Sequence, residues 1–236
     1  MTASLLVALV ACCGGKRQDE KHADHVEAPV TLNKLDPHKD AATWCVTKGV
    51  AALGARVDDP TVRAVVRGSG GDAASVTFTF VGQSTQTRAL ASGQLRRQIG
   101  LKLRAENGCN LIYVMWRLDP KPFIEVSVKR NPGMRTNEEC GANGYTKLKR
   151  PDERGDLPDL EAGSTHTLRA AIEGDELTAW VDDKVVWRGA LPDEARALKG
   201  PAGVRSDNLA FDLVAFAAPA GSGPMPEVKC VGEESD

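Results

Sequence analysis

Aromatic side chains are scarce in this chain: four Trp, two Tyr and five Phe make up 5% of its 236 residues. So few rings exclude an extended stacking platform of the kind that holds a row of bases. Neither sign of charge is in surplus, because 30 basic and 32 acidic side chains leave a formal charge of −2. Counterion release on DNA or RNA therefore has no basic excess to draw on, and no nucleic-acid partner is expected. No apolar run approaches the roughly 20 residues that span a bilayer. Cys-x-x-Cys, Gly-x-Ser-x-Gly, His-Glu-x-x-His and phosphate-loop patterns are all missing. Gly68-Ser69-Gly70-Gly71 is followed by no lysine and reads as a connector between strands. Four histidines are few, and His22, His25 and His38 are spaced too loosely to hold a metal. Asp207-Asn208 brings two oxygen-bearing side chains to a turn, where calcium takes about 6–8 ligands, so turn chemistry before a strand is the expected role. No cofactor and no metal are expected. What is present, 42% hydrophobic and 26% charged residues, is the balance of an ordinary globular domain.

Leu5–Ala11 is apolar and is followed by the polar stretch Lys16-Arg17-Gln18-Asp19-Glu20-Lys21. Leu9-Val10-Ala11-Cys12 resembles the lipobox of bacterial lipoproteins. That resemblance implies a signal peptide over 1–11, Cys12 as the lipidated residue, and a membrane partner through the lipid. Acyl chains add about 0.8 kcal/mol of membrane affinity per buried methylene, enough to hold a soluble domain. A bacterial cell-envelope location follows, on the outer membrane or the periplasmic face. Residues 12–38 read as a polar tether, 39–218 as the folded domain and 219–236 as a loose tail.

Cys45, Cys109, Cys140 and Cys230 remain once Cys12 and Cys13 are set aside, and an even set in an exported chain is expected to pair. Asn110–Leu118 and Phe123–Arg130 read as strands joined by Asp119-Pro120-Lys121-Pro122. The returning strand ends beside Cys109, with Cys140 a short loop beyond. Cys109–Cys140 is therefore the favoured bond, and Cys45–Cys230 ties the start of the domain to its tail.

Alternation of apolar and polar residues marks further strands at Val76–Val81, Ile99–Arg104, Leu168–Ile172, Leu177–Val181, Val185–Arg188 and Leu209–Phe216. Gly174-Asp175 is a two-residue hairpin turn between two of them. Only Pro192–Leu198 reads as helix. Many short strands separated by Gly, Pro, Asn and Asp predict an all-β sandwich of two antiparallel sheets.

The stretch from His166 to Trp187 resembles the hairpin of concanavalin A-like jelly rolls, including laminin-G-like modules and 3-keto-disaccharide hydrolase-like domains. Gly200-Pro201-Ala202-Gly203-Val204-Arg205-Ser206-Asp207-Asn208 is similar to their final turn, with the closing strand after it. The resemblance implies a jelly roll and leaves activity open, since such sandwiches carry lectins, hydrolases and adhesion modules alike. Glycosidases need two carboxylates about 5–5.5 Å apart for retention, or farther apart for inversion. Glucanases of this fold present them as Glu-x-Asp-x-x-Glu on one strand, a pattern absent here; Glu125-Val126-Ser127 comes nearest.

With a four-residue connection, Leu118 pairs with Phe123 and Trp116 lies opposite Glu125. Tyr113 and Met115 then point to the core with Val126 and Val128. Trp116, Glu125, Ser127 and Lys129 share the other face, with Arg117 adjacent: a flat ring with hydrogen-bonding partners, as sugar recognition requires. The competing reading makes Trp116 core and Glu125–Lys129 a cross-strand salt bridge. Arg169 is expected to cover Trp180, although Trp180 and Trp187 could instead line a groove. Three functions compete: a non-catalytic carbohydrate- or surface-binding module, a glycoside hydrolase, and a structural or protein-interaction envelope domain.

Overall fold

The hairpin around Gly174-Asp175 sets the geometry of half the molecule. In the computed structural model, β10 (Thr165–Glu173) and β11 (Glu176–Val181) pair with Glu173 opposite Glu176, and Gly174 takes a φ of 58°. Leu168, Ala170 and Ile172 meet Val181, Ala179 and Leu177 on the buried face, as the two-residue turn requires. On the other face the Arg169 guanidinium lies 4.0 Å from the centre of the Trp180 ring. Trp187, by contrast, is buried in the core. No Trp180–Trp187 groove forms.

The structure describes residues 31–36, 40, 43–49, 56–149, 156–221 and 230–231. They form two antiparallel sheets, an all-β jelly-roll sandwich. One sheet runs β1 (Asn33–Leu35), β14 (Ala210–Ala218), β5 (Ala73–Gly82), β10, β11 and β12 (Lys184–Ala190), with β3 (Arg56–Val57) also on β14. The second runs β2 (Trp44–Lys48), β4 (Thr61–Val66), β13 (Gly203–Asp207), β6 (Gln98–Leu103), β7 (Leu111–Arg117), β8 (Phe123–Lys129) and β9 (Tyr145–Lys147). Two four-residue helices, α1 (Asn137–Cys140) and α2 (Asp193–Arg196), complete the fold. Cys12 and residues 1–11 lie outside the described residues.

The sandwich takes in residues on both sides of the 39–218 span. Asn33–Leu35 pairs with the end of β14, and Cys230 is bonded to Cys45 of β2. Cys109 is bonded to Cys140, which fastens α1 to the end of the second sheet. These are the two pairings expected from the sequence. In the chain-entropy view each closes a long loop in the unfolded chain and stabilises by roughly 2–5 kcal/mol.

The β7–β8 register is where expectation and structure part. Arg117 pairs with Phe123, Trp116 with Ile124 and Met115 with Glu125, so five residues, not four, connect the strands. Leu118 leaves the ladder because its N–H donates to the Arg97 carbonyl (3.0 Å), while Asp119 accepts from the Arg97 guanidinium. A shift of one residue exchanges faces. Ile112, Val114 and Trp116 therefore enter the core with Ile124, Val126 and Val128, and Tyr113 and Met115 turn outward. Trp116 is 0% exposed, its ring edge-on to Phe78 at 5.9 Å.

Candidate functional site

The outer face of the second sheet is built from the alternate residues the core does not use. Its cross-strand register lays them in rows. One row runs Lys48, Arg63, Arg205, Gly100, Met115 and Glu125. The row beside it runs Val65, Gly203, Lys102, Tyr113, Ser127 and Lys147. On the other side lie Thr61, Asp207, Gln98, Arg117 and Phe123. Gly100 leaves room at the centre, where the Met115 sulfur sits 2.8 Å from the place a Cβ would take.

Loops close over this face. Asn208, at a φ of 52°, holds the 88–96 segment: its Nδ2 donates to the carbonyls of Arg88 (3.0 Å) and Arg96 (2.9 Å), and its Oδ1 accepts from the Arg88 N–H (2.7 Å). Its positive φ fits the turn expected before β14, but its side chain bonds this distant segment, and Asp207 belongs to β13. From the other side α1 is held down by its disulfide and by Lys129, whose Nζ donates to the carbonyls of Gly108 and Gly141. Between these walls lies a pocket of about 230 Å³, lined by Arg63, Arg96, Gln98, Tyr113, Glu125, Tyr145 and others. A second cavity of about 720 Å³ adjoins it, sharing Lys48, Arg63, Tyr113 and Asn137 and adding Lys102 and Arg135.

Asp207 is the buried counter-charge of this face. Its side chain is 0% exposed, and it accepts from Arg63 (2.8 Å), Arg205 (2.9 Å) and Gln98 (2.6 Å). Burial by itself would push the carboxyl pKa up, but Arg205, Arg63 and Gln98 together outweigh it and hold the group below the usual carboxylate range. The Arg205 guanidinium also lies 4.7 Å from the centre of the Tyr113 ring. At the far end, Glu125 is ringed by Lys147 (3.0 Å), Arg117 (3.1 Å) and Arg96 (3.4 Å). Desolvation raises its pKa; those three cations, Lys147 foremost, bring it below its ordinary value. Both carboxylates are thus ionised at neutral pH.

Of the residues singled out from the sequence, Glu125 and Ser127 line the pocket. Arg117 stands behind Glu125, its guanidinium over the Phe123 ring at 4.9 Å. Lys129 faces the expected side but is 0% exposed and spent on carbonyls, so it is a structural residue. The expected Glu125–Lys129 bridge is replaced by the Lys147–Glu125 pair. Trp116 lies behind the sheet, and the ring offered outward is Tyr145, 38% exposed and stacked on Tyr113 at 6.2 Å and 19°. Arg63, Lys102, Tyr113, Tyr145, Arg205 and Asp207 were not legible as site residues. Basic–polar–acidic alternation in Arg205-Ser206-Asp207 was the signal available for the last two.

No family model matches the chain, and no curated protein matches it. Solved structures that superpose on it include a carbohydrate binding module, CBM66, from Bacillus subtilis. That module is 12% identical with a TM-score of 0.47, covering 75% of this chain and 93% of that one. The Crh5 transglycosylase in complex with NAG is 12% identical with a TM-score of 0.47, covering 81% of this chain and 84% of that one. A tetrameric galectin from the ball sponge Cinachyrella sp. is 14% identical with a TM-score of 0.39, covering 63% of this chain and 92% of that one.

Proposed function

We propose that the domain is a non-catalytic saccharide-binding module of an exported lipoprotein, and that the pocketed outer face of the second sheet is its site. The observation that carries this reading is the lining. The half-exposed Tyr145 ring and the Met115 thioether offer apolar surface beside Arg96, Gln98, Glu125, Ser127 and Lys147. An apolar patch with convergent polar groups suits a pyranose ring, whose C–H face stacks while its hydroxyls are hydrogen-bonded. Gln98 adds a buried acceptor, since its Oε1 has no partner among the described residues.

The hydrolase reading asks for a protonated acid beside a second carboxylate. Glu125 and Asp207 are both held ionised, and Asp207 is covered, which favours binding over hydrolysis. The two disulfides suit an oxidising compartment. No helix among the described residues is long and apolar enough to cross a membrane, so attachment through Cys12 supplies the anchor in this reading.

Affinity electrophoresis against a panel of polysaccharides tests the site. Tyr145→Ala, at an exposed edge strand, is expected to fold normally and to lose about tenfold in affinity, the worth of one stacked ring. Unchanged retention by every polysaccharide that slows the wild type would sink this site. Hydrolysis of any of them, abolished by Glu125→Gln, would replace the module with an enzyme. Fatty-acid labelling of the chain in a bacterial host is expected to disappear in Cys12→Ala; label that persists would refute the anchor.

A further inference from the structure

Lys102 is out of place by ordinary rules. Its side chain is 3% exposed and, among the described residues, makes no hydrogen bond and no ion pair. It stands on β6 beside Tyr113, one row from Arg63 and Arg205, and lines the larger cavity. Its stem is buried while its ammonium opens onto the cavity with no counter-charge of its own, which suits it to an anionic ligand. Asp207, the buried carboxylate of this face, is already shared by two guanidinium groups. Two arginines and one lysine against one aspartate leave the centre of the face short of negative charge. The chain as a whole carries −2, so this cationic centre is a local segregation and not a reflection of composition.

We propose that the cavity takes an anionic saccharide, whose carboxylate or sulfate group is received by Lys102 together with Arg63. This inference rests on the saccharide-binding reading and deepens it by naming the ligand class. The missing counter-charge is then supplied by the ligand, and the ring bearing it lies toward Tyr113 and the neighbouring pocket. The remaining cations on the cavity wall, Lys48 and Arg135, favour a chain bearing repeated negative charges.

Lys102 also gives the site a pH dependence. Burial above all, with Arg63 and Arg205 adding repulsion, lowers its pKa to about 7. The charged groups facing it are Arg63 from β4, Arg205 from β13, and Lys48, Arg135 and Glu138 around the cavity; Tyr113 from β7 is pushed up by its own burial. Only protonated Lys102 attracts an anion, so affinity is expected to rise as pH falls from 8.5 to 6.

The test uses the full chain and affinity electrophoresis at fixed ionic strength. Its matrices are alginate, polygalacturonate, chondroitin sulfate, neutral dextran and laminarin, with poly-glutamate and single-stranded DNA as polyanions that are not saccharides. Expected are retention on a carboxylated or sulfated saccharide, loss of about tenfold or more in Lys102→Met, and flattening of the pH profile in that variant. Retention on alginate or polygalacturonate alone assigns a carboxylate, and on chondroitin sulfate alone a sulfate. Equal retention on dextran or laminarin would overturn the anionic ligand and leave the saccharide reading standing. Equal retention on poly-glutamate or DNA would overturn the saccharide reading itself, as would no retention anywhere. The wild-type pH profile decides should Lys102→Met fail to fold: affinity that does not rise toward pH 6 removes Lys102 from the site.

Discussion

Asp207→Asn is expected to cost the fold about 3–5 kcal/mol, read as a lowered midpoint in urea unfolding. The carboxylate is fully covered, and the two guanidinium groups it faces are 17% and 8% exposed. An amide can keep one or two of the hydrogen bonds but none of the charge. Arg63 and Arg205 would then repel one another across adjacent strands, with Lys102 adding to the excess. The pH dependence has a definite sign. The folded carboxyl pKa lies below the ordinary value of 3.8, so the stabilisation is complete above that value and disappears as pH falls through the folded pKa. Wild type should lose this contribution in acid, whereas Asp207→Asn should lack it at every pH. Pairing Asp207→Leu with Arg205→Met removes both partners and is expected to cost less than the two single changes added together. A loss under about 1 kcal/mol for Asp207→Asn would show that solvent, not Asp207, balances the arginines.

The fold was legible where local chemistry decides geometry. Gly174-Asp175 admits one tight turn, and every cross-strand partner of β10 and β11 follows from it. The disulfide pairing followed likewise, because an antiparallel return to Cys109 holds whether the connection is four residues or five. The faces of Tyr113, Met115 and Trp116 were misassigned by that same difference. Leu118 is drawn out of the ladder by Arg97, a residue about twenty positions earlier, and nothing in the hairpin itself reveals this. Strands β4 and β13 failed for another reason. Val62, Ala64 and Val66 alternate with Thr61, Arg63 and Val65, yet all are buried except the half-buried Arg63, because loops cover the outer face. β13 is buried throughout while carrying Arg205 and Asp207. A rule that sends charge to solvent reads such a strand as a turn, although buried charges are tolerated once paired.

Trp116 supplies the sharpest contrast between the two registers. Placed on the outer face, its loss would weaken binding and spare the fold. In the structure it fills the space between the sheets, edge-on to Phe78 and with the His166 ring 5.5 Å away. Trp116→Ala is therefore expected to cost about 3–5 kcal/mol, since the cavity it leaves cannot collapse between two hydrogen-bonded layers. Trp116→Phe separates packing from function. The indole N–H has no partner among the described residues, so phenylalanine gives up some volume and no hydrogen bond. Its cost in urea unfolding should be clearly smaller than that of alanine. Folded Trp116→Phe protein should retain polysaccharide as the wild type does, because a whole β-sheet separates the ring from Tyr145 and Glu125. If that variant folds with a wild-type urea midpoint and still loses retention, the ring contacts ligand and the outer face is not the site.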